Sequence, residues 1–207
     1  MASSKFMQFS AGFQDARNAI MEWAEPVENS SYVSLLKPRN FDRIPQMWAM
    51  VSASPTIGVW NPNLSVGFSK QWFSVESQGE TVHFDKIMPF GSFTNVFALP
   101  QNWTINADLT YTGKGHTGIT YCFKDSWVCN ISVQKAFLNK ALTVTLGVND
   151  LFNQSKYCFE SYYSRLRITK DGTYDSREIY LTLRYRLKAK GSKYRGSLAG
   201  EEERQRM

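Results

Sequence analysis

The chain has 207 residues, and its 43% apolar and 20% charged content is that of a folded protein, long enough for one large domain or two small ones. Its net charge of +6 is spread along the sequence without a recognition motif, so no nucleic-acid partner is expected. No apolar run approaches the ~18 residues of a transmembrane helix.

The first 25 residues hold two apolar-rich runs, Phe6 to Phe13 and Ile20 to Trp23, separated by the polar stretch Gln14 to Asn18. A loop rich in Pro, Asn and Ser follows, from Pro26 to Ser31. Met47 to Ile57 reads as a strand, and Trp60-Asn61-Pro62-Asn63 as a turn. Leu64, Val66 and Phe68 then alternate with Ser65, Gly67 and Ser69. Ser77 to Glu80 is a polar break. Phe90 to Phe97 is another strand, closed by the turn Leu99-Pro100-Gln101-Asn102.

In the next strand Trp103, Ile105, Ala107, Leu109 and Tyr111 form one face, and Thr104, Asn106, Asp108, Thr110 and Thr112 the other. Ile119, Tyr121 and Phe123 carry the apolar face past a Gly-rich break at Gly113 to Gly118. That break is expected to be a bend within one long strand, Trp103 to Phe123. A polar turn around Asp125 leads to Trp127, Cys129, Ile131 and Val133, with Asn130, Ser132 and Gln134 opposite. Leu138-Asn139-Lys140 is a turn before the strand Leu142 to Asn149. Asp150-Leu151-Phe152-Asn153 and the aromatic stretch Tyr157 to Tyr163 follow. Lys170-Asp171-Gly172 reads as a turn, and the final strand, alternating from Ile179 to Leu187, runs to about Lys188. No helical periodicity of useful length occurs. The pattern gives about nine or ten strands joined as antiparallel hairpins, an all-β fold.

Alternation fits two architectures. In a soluble sandwich the apolar face looks into a core. In a membrane barrel it looks out to lipid, and the polar face lines a wet lumen. Three features favour the barrel. The polar faces carry Thr, Ser, Asn and Gly more than Lys and Glu. Trp103, Tyr111, Trp127 and Phe137 sit at strand ends, within an aromatic content of 14%. The strands also run about ten residues, the span of a tilted membrane strand. The competing expectation is a soluble secreted β-sandwich that binds carbohydrate through exposed aromatics.

Candidate site residues are few, and no catalytic, cofactor-binding or metal-binding residue is expected. His83 and His116, the two histidines, read as solvated or hydrogen-bonded loop residues. Gly113-Lys114-Gly115 lacks the Ser or Thr and the helix of a phosphate loop. Asp108 and Asp150 read as a wall residue and a turn former, not as a glycosidase pair. Arg184 and Arg186, on the polar face of the last strand, are expected to line a wet wall or meet acidic lumen groups, contact with an anionic ligand being the lesser reading. Cys122, Cys129 and Cys158 have no metal-ligand spacing. Cys122 and Cys129 are expected on opposite faces of one sheet and therefore unbonded. An enzyme is not expected, because no nucleophile, base and orienting group converge.

Four segments carry a family resemblance. LTVTLGVNDLF, Leu142 to Phe152, resembles the penultimate strand of TonB-dependent receptor barrels, with its N-D/N-L-F ending. ISVQKAFLNKALTV resembles the strand and periplasmic turn before it. EIYLTLRYRL resembles the closing strand that the barrel assembly machinery reads. KGSKYRGSLAGEEERQRM resembles the "K-Y-K/R-G…A-G-x-E-x-x-R" ending of the outer-membrane β-barrel family common in Bacteroidota. The resemblance covers about Trp48 to the end and is looser before Trp103. It implies an antiparallel up-and-down transmembrane β-barrel in the cell outer membrane. Residues 1–188 would be its C-terminal portion and residues 189–207 a polar periplasmic tail.

The partners that the resemblance implies are outer-membrane lipid, the assembly machinery, and the remaining strands and plug of a longer parent chain. The transported ligand is not given by the residues. Such receptors carry a signal, a TonB box and a plug, and close with about 22 strands. Met1 to Ser10 offers only Lys5 as a positive charge, with no apolar segment after it. The sequence is therefore expected to be the C-terminal piece of something longer, or a mis-started reading frame.

Overall fold

A computed structural model describes residues 7–27 and 33–187. Eight strands form one antiparallel meander: β1 (Met7–Pro26), β2 (Ser34–Ala53), β3 (Trp60–Gln71), β6 (Met88–Leu99), β7 (Trp103–Thr112), β10 (Ser126–Phe137), β11 (Leu142–Asn149) and β14 (Glu178–Tyr185). Six shorter strands lie in the connections at one end of this wall. β4 (Phe73–Ser77) and β5 (Glu80–Phe84) form a hairpin. β8 (Gly115–Thr117), β9 (Thr120–Cys122), β12 (Lys156–Tyr162) and β13 (Arg167–Thr173) form a second sheet in the order β13-β12-β9-β8. At the other end the wall strands are joined by tight turns, one of them the 3-10 turn Pro100–Asn102. The sheet does not close on itself: β1 pairs only with β2, and β14 only with β11, among the described residues.

The register fixes the faces. Directly paired residues share a side of an antiparallel sheet. One row runs Ile105, Val133, Leu146, Leu181, and the next runs Ala107, Ile131, Val148, Ile179. The apolar parity read from each strand therefore falls on one side of the whole wall. Among the described residues no second layer covers it: Ile179 is 75% exposed, Leu183 65% and Leu146 55%.

The buried core lies elsewhere, among the loop-end connections. Trp23, Val75, Phe84 and Ile119 form it, with Met21, Phe41, Phe73, Val82, Tyr162 and Tyr163 packed around them. Phe73 stacks on Phe84 at 4.9 Å between ring centroids, and Tyr162 meets Phe84 edge-on at 5.6 Å.

Several sequence expectations are corrected. The runs Phe6 to Phe13 and Ile20 to Trp23 belong to a single strand as far as it is described. The polar stretch between them is paired too, and only Asn18, at φ 52°, interrupts the ladder. The strand expected at Met47 to Ile57 is β2, which starts at Ser34 and ends at Ala53.

Trp60 to Asn63 is not a turn but the start of β3; the reversal sits before it, where Ile57 bridges Trp60. Pro62 is tolerated because β3 is paired only with β6 there, pairing with β2 beginning at Leu64. Gly113 to Gly118 is not a bend in one strand. β7 ends at Thr112, and Thr117-Gly118-Ile119-Thr120 turns the hairpin β8–β9. Because a hairpin enters and leaves at the same end, β10 runs antiparallel beside β7.

Lys170-Asp171-Gly172 is not a turn but part of β13, paired with β12; the reversal lies between Tyr162 and Arg167. The stretch after the NDLF segment leaves the wall and enters the second sheet as β12. The end of the final strand near Lys188 and the tail 189–207 lie outside the described residues.

Candidate functional site

The wall presents two chemically distinct faces. On the exposed face the apolar band ends in aromatic rings at both edges. Near the tight turns, Trp60 stacks parallel to Phe97 at 6.2 Å. The Trp60 indole Nε1 donates to Asn95 Oδ1 at 3.0 Å, and Asn95 Nδ2 donates to the Ala107 carbonyl at 3.3 Å. A polar amide on an apolar face is thus fully engaged, which removes most of the cost of placing it in hydrocarbon. Lys135 lies over Trp103 at 4.7 Å and donates to the Gln101 carbonyl, bending its charge to the turn edge. Near the loop end stand Tyr111 and Trp127, with Phe152 at 5.4 Å from Trp127. Trp103 and Tyr111 are about 26 Å apart along β7 at ~3.3 Å per residue, the scale of the hydrocarbon band around a barrel.

The opposite face is wet. Its rows run Thr94, Asp108, Asn130 and then Asn106, Ser132, Gly147, Tyr180. Asn106 Nδ2 donates to Ser132 Oγ at 3.1 Å. Toward the tight turns the rows become Gln134, Thr145, Thr182 and Ala136, Thr143, Arg184. Gly147 is required where it stands, because any Cβ there would enter the Tyr180 ring lying across it.

The residues singled out from the sequence do not converge. Asp108 faces Asn130 across the strands, and Asn130 Oδ1 accepts the Asp150 amide at 2.9 Å, so Asn130 stands between the two carboxylates. Asp150 is the hub of the NDLF turn. It is 1% exposed, and its carboxylate accepts Gln154 N at 2.9 Å, Ser155 N at 3.0 Å and Ser176 Oγ at 2.6 Å. Burial pushes its pKa up, but those three hydrogen bonds together outweigh burial and hold it below the usual carboxylate value.

His83 is exposed and meets Ser74 Oγ at 2.8 Å. His116 is the hydrogen-bonded alternative, but in a strand and not in a loop: it is buried in β8, edge-on to Phe84 and Tyr121. Its Nδ1 accepts the Lys86 amide, and burial first, then Lys86, lowers its pKa. Gly113-Lys114-Gly115 runs into the strand β8, of which Gly115 is the first residue, and Lys114 meets Asp125 at 3.7 Å. The loop-end core was not visible in the sequence, although Phe73, Val75 and Val82, Phe84 do alternate around Gln78-Gly79, a hairpin signal in short form.

The cysteines occupy two sheets. Cys129 pairs with Leu109 on the apolar face of the wall, while Cys122 lies in β9 of the second sheet, opposite Phe159. They are kept apart by belonging to different sheets, not by facing opposite sides of one. Cys158 is buried, and its Sγ donates to Asp171 Oδ1 at 2.9 Å. Burial, reinforced by Asp171, raises its thiol pKa, and burial likewise raises that of Cys122. Intact mass of unreduced protein, denatured and alkylated, should therefore show three labels. In the folded state Cys158 should react slowest near neutral pH. A species two hydrogens lighter and lacking two labels would reject this arrangement.

A single-layered antiparallel wall, apolar and aromatic-belted outside and hydroxyl-rich inside, is the wall of a membrane β-barrel. The soluble sandwich is not favoured, since nothing among the described residues buries the apolar face. In agreement, residues 1–185 match the family model for the outer membrane protein beta-barrel family, and the chain belongs to that family, which places it in the outer membrane. No curated protein and no solved structure gives a significant match.

Proposed function

We propose that the chain forms the C-terminal part of the wall of a TonB-dependent-type uptake barrel, and that it has no enzymatic role. The observation that carries this reading is the pair of edges, β1 and β14, that are one-sided among the described residues, on a wall whose inner face is rich in hydroxyls and amides from β7 to β11. Unpaired strand edges are not stable in hydrocarbon. Further strands of a parent chain would pair with them, and a plug would fill the wide lumen that results. The NDLF turn and the closing strand support the same family of receptors. The assembly machinery would engage β14, and outer-membrane lipid would cover the apolar face.

The test is conductance of the parent barrel in planar bilayers. Removing the plug should open a large channel that the intact parent lacks. Equal conductance of the two would overturn the plugged-barrel reading.

The orientation follows from the same proposal. The tight turns face the periplasm and the loop-end core faces outside, as short and long connections do in such barrels. In whole cells carrying the parent without its native cysteines, a membrane-impermeant maleimide should label a cysteine at Asp171 and spare one at Asn139. The reverse pattern would invert the topology.

A further inference from the structure

At the tight-turn end of the wet face, Lys140, Thr143, Thr145, Thr182, Arg184 and Arg186 surround an open pocket of 420 Å³. Arg184 lies directly across from Thr143, and Thr182 from Thr145, so the hydroxyls stand on the same rows as the cation or one row above it. The backbone amide of Arg186 donates to the Ala141 carbonyl at 2.7 Å, which ties the end of β14 to the turn carrying Lys140. Lys140 itself is held at φ 68° in that turn.

Three cations share this pocket, and none has a carboxylate partner among the described residues. The described ion pairs lie in the β1–β2 hairpin or in the loop-end connections. Glu178, on the same strand, is spent at the opposite end, where it accepts from Asn149. Asp108, the acid of the neighbouring wet rows, faces Thr94 and Asn130. Like charges on adjacent strands repel and cost stability. Guanidinium groups with hydroxyl donors beside them are the donor set for a planar or tetrahedral oxyanion.

We propose that this pocket is an anion-binding subsite of the lumen, which takes the phosphate or carboxylate group of a small solute on the wet side of the wall. The subsite depends on the membrane-wall geometry and not on TonB coupling or on a plug, so it stands or falls separately from the uptake reading. Arg184 and Arg186 grip the oxyanion, Lys140 adds charge at the turn, and the threonine hydroxyls orient it.

The experiment is titration of the native outer-membrane assembly, in detergent micelles at fixed ionic strength, with inorganic phosphate, citrate and glucose, followed by calorimetry. Phosphate and citrate should bind and glucose should not. The double variant Arg184→Gln/Arg186→Gln should weaken anion binding by about tenfold or more, the loss of a charge-assisted hydrogen bond. Arg184→Lys/Arg186→Lys, which keeps the charge, should retain a larger share of it. If the double glutamine variant fails to fold, as judged by heat-modifiable gel mobility, each single glutamine variant should still show a severalfold loss. Absence of anion binding would overturn the proposal, including the case in which a carboxylate of another polypeptide segment already fills the pocket. Affinity unchanged by the substitutions, or equal for glucose, would overturn it as well.

Discussion

Replacing Ile131 with Arg should destabilise the membrane-embedded assembly by roughly 2–4 kcal/mol, while Thr110→Arg should cost far less. Ile131 stands midway between the two aromatic belts, in the row with Ala107 and Val148. Its side chain points to the face that nothing among the described residues covers, so a guanidinium there would lie at the depth of the hydrocarbon midplane. Thr110 is one strand away on β7 with the opposite parity, paired with Val128 on the wet face. An arginine there reaches water. Urea titrations of the assembly folded into lipid vesicles would measure both. A larger cost at Thr110 would mean that the faces have been assigned the wrong way round, and equal cost that they do not differ in what they face.

The second large effect is expected at Asp150. Asp150→Ala removes an acceptor that holds three donors in a buried turn, and leaves the Gln154 and Ser155 amides and the Ser176 hydroxyl to find water. With hydrogen bonds to a charged group worth about 1.5–3 kcal/mol each and partial recovery by solvent, a loss of about 3 kcal/mol is expected. The pH dependence has a definite sign. The folded-state pKa lies below the ordinary value of 3.8, so the unfolded chain binds the proton more readily. The stabilisation is therefore fully present above that value and drains away as pH falls through the folded-state pKa. In the alanine variant this acid-sensitive component should vanish. Limited proteolysis between Asn153 and Arg177 at pH 7 and in acid would show it. Wild-type and variant loops cut at equal rates at both pH values would remove Asp150 from this role.

How much could be read beforehand depended on strand length. A run such as Trp103 to Thr112 repeats its two-residue period five times, so its parity is unambiguous, and the register carries that parity across the wall. β8 and β9 have three residues each, too few for a period, and Gly113, Gly115 and Gly118 look the same in a bend as in a hairpin. Lys170-Asp171-Gly172 has turn chemistry, yet it is held in a strand. Asp171 is engaged by Lys124 and Cys158, and Gly172 leaves room for the Tyr157 ring across the ladder. Those partners come from distant segments and leave no trace in the local sequence. The cationic pocket was half legible: Arg184 and Arg186 stood on the polar parity. Lys140, in a turn, and the hydroxyl rows from β11 could join them only once strand pairing was known.

The two parts of the molecule also differ in when they can form. Each wall strand pairs with the next wall strand along the chain, so the wall can grow by adding one hairpin arm at a time. The loop-end core has no such option. Thr120 meets Ser161 from 41 residues away, Gln71 meets Gly118 from 47, and Trp23 packs on Tyr163. Contacts of that separation carry a large loop-closure cost and mature late. Completion of this core therefore requires segments from β1 through β12 to be in place together, so it closes after the wall strands that it bridges.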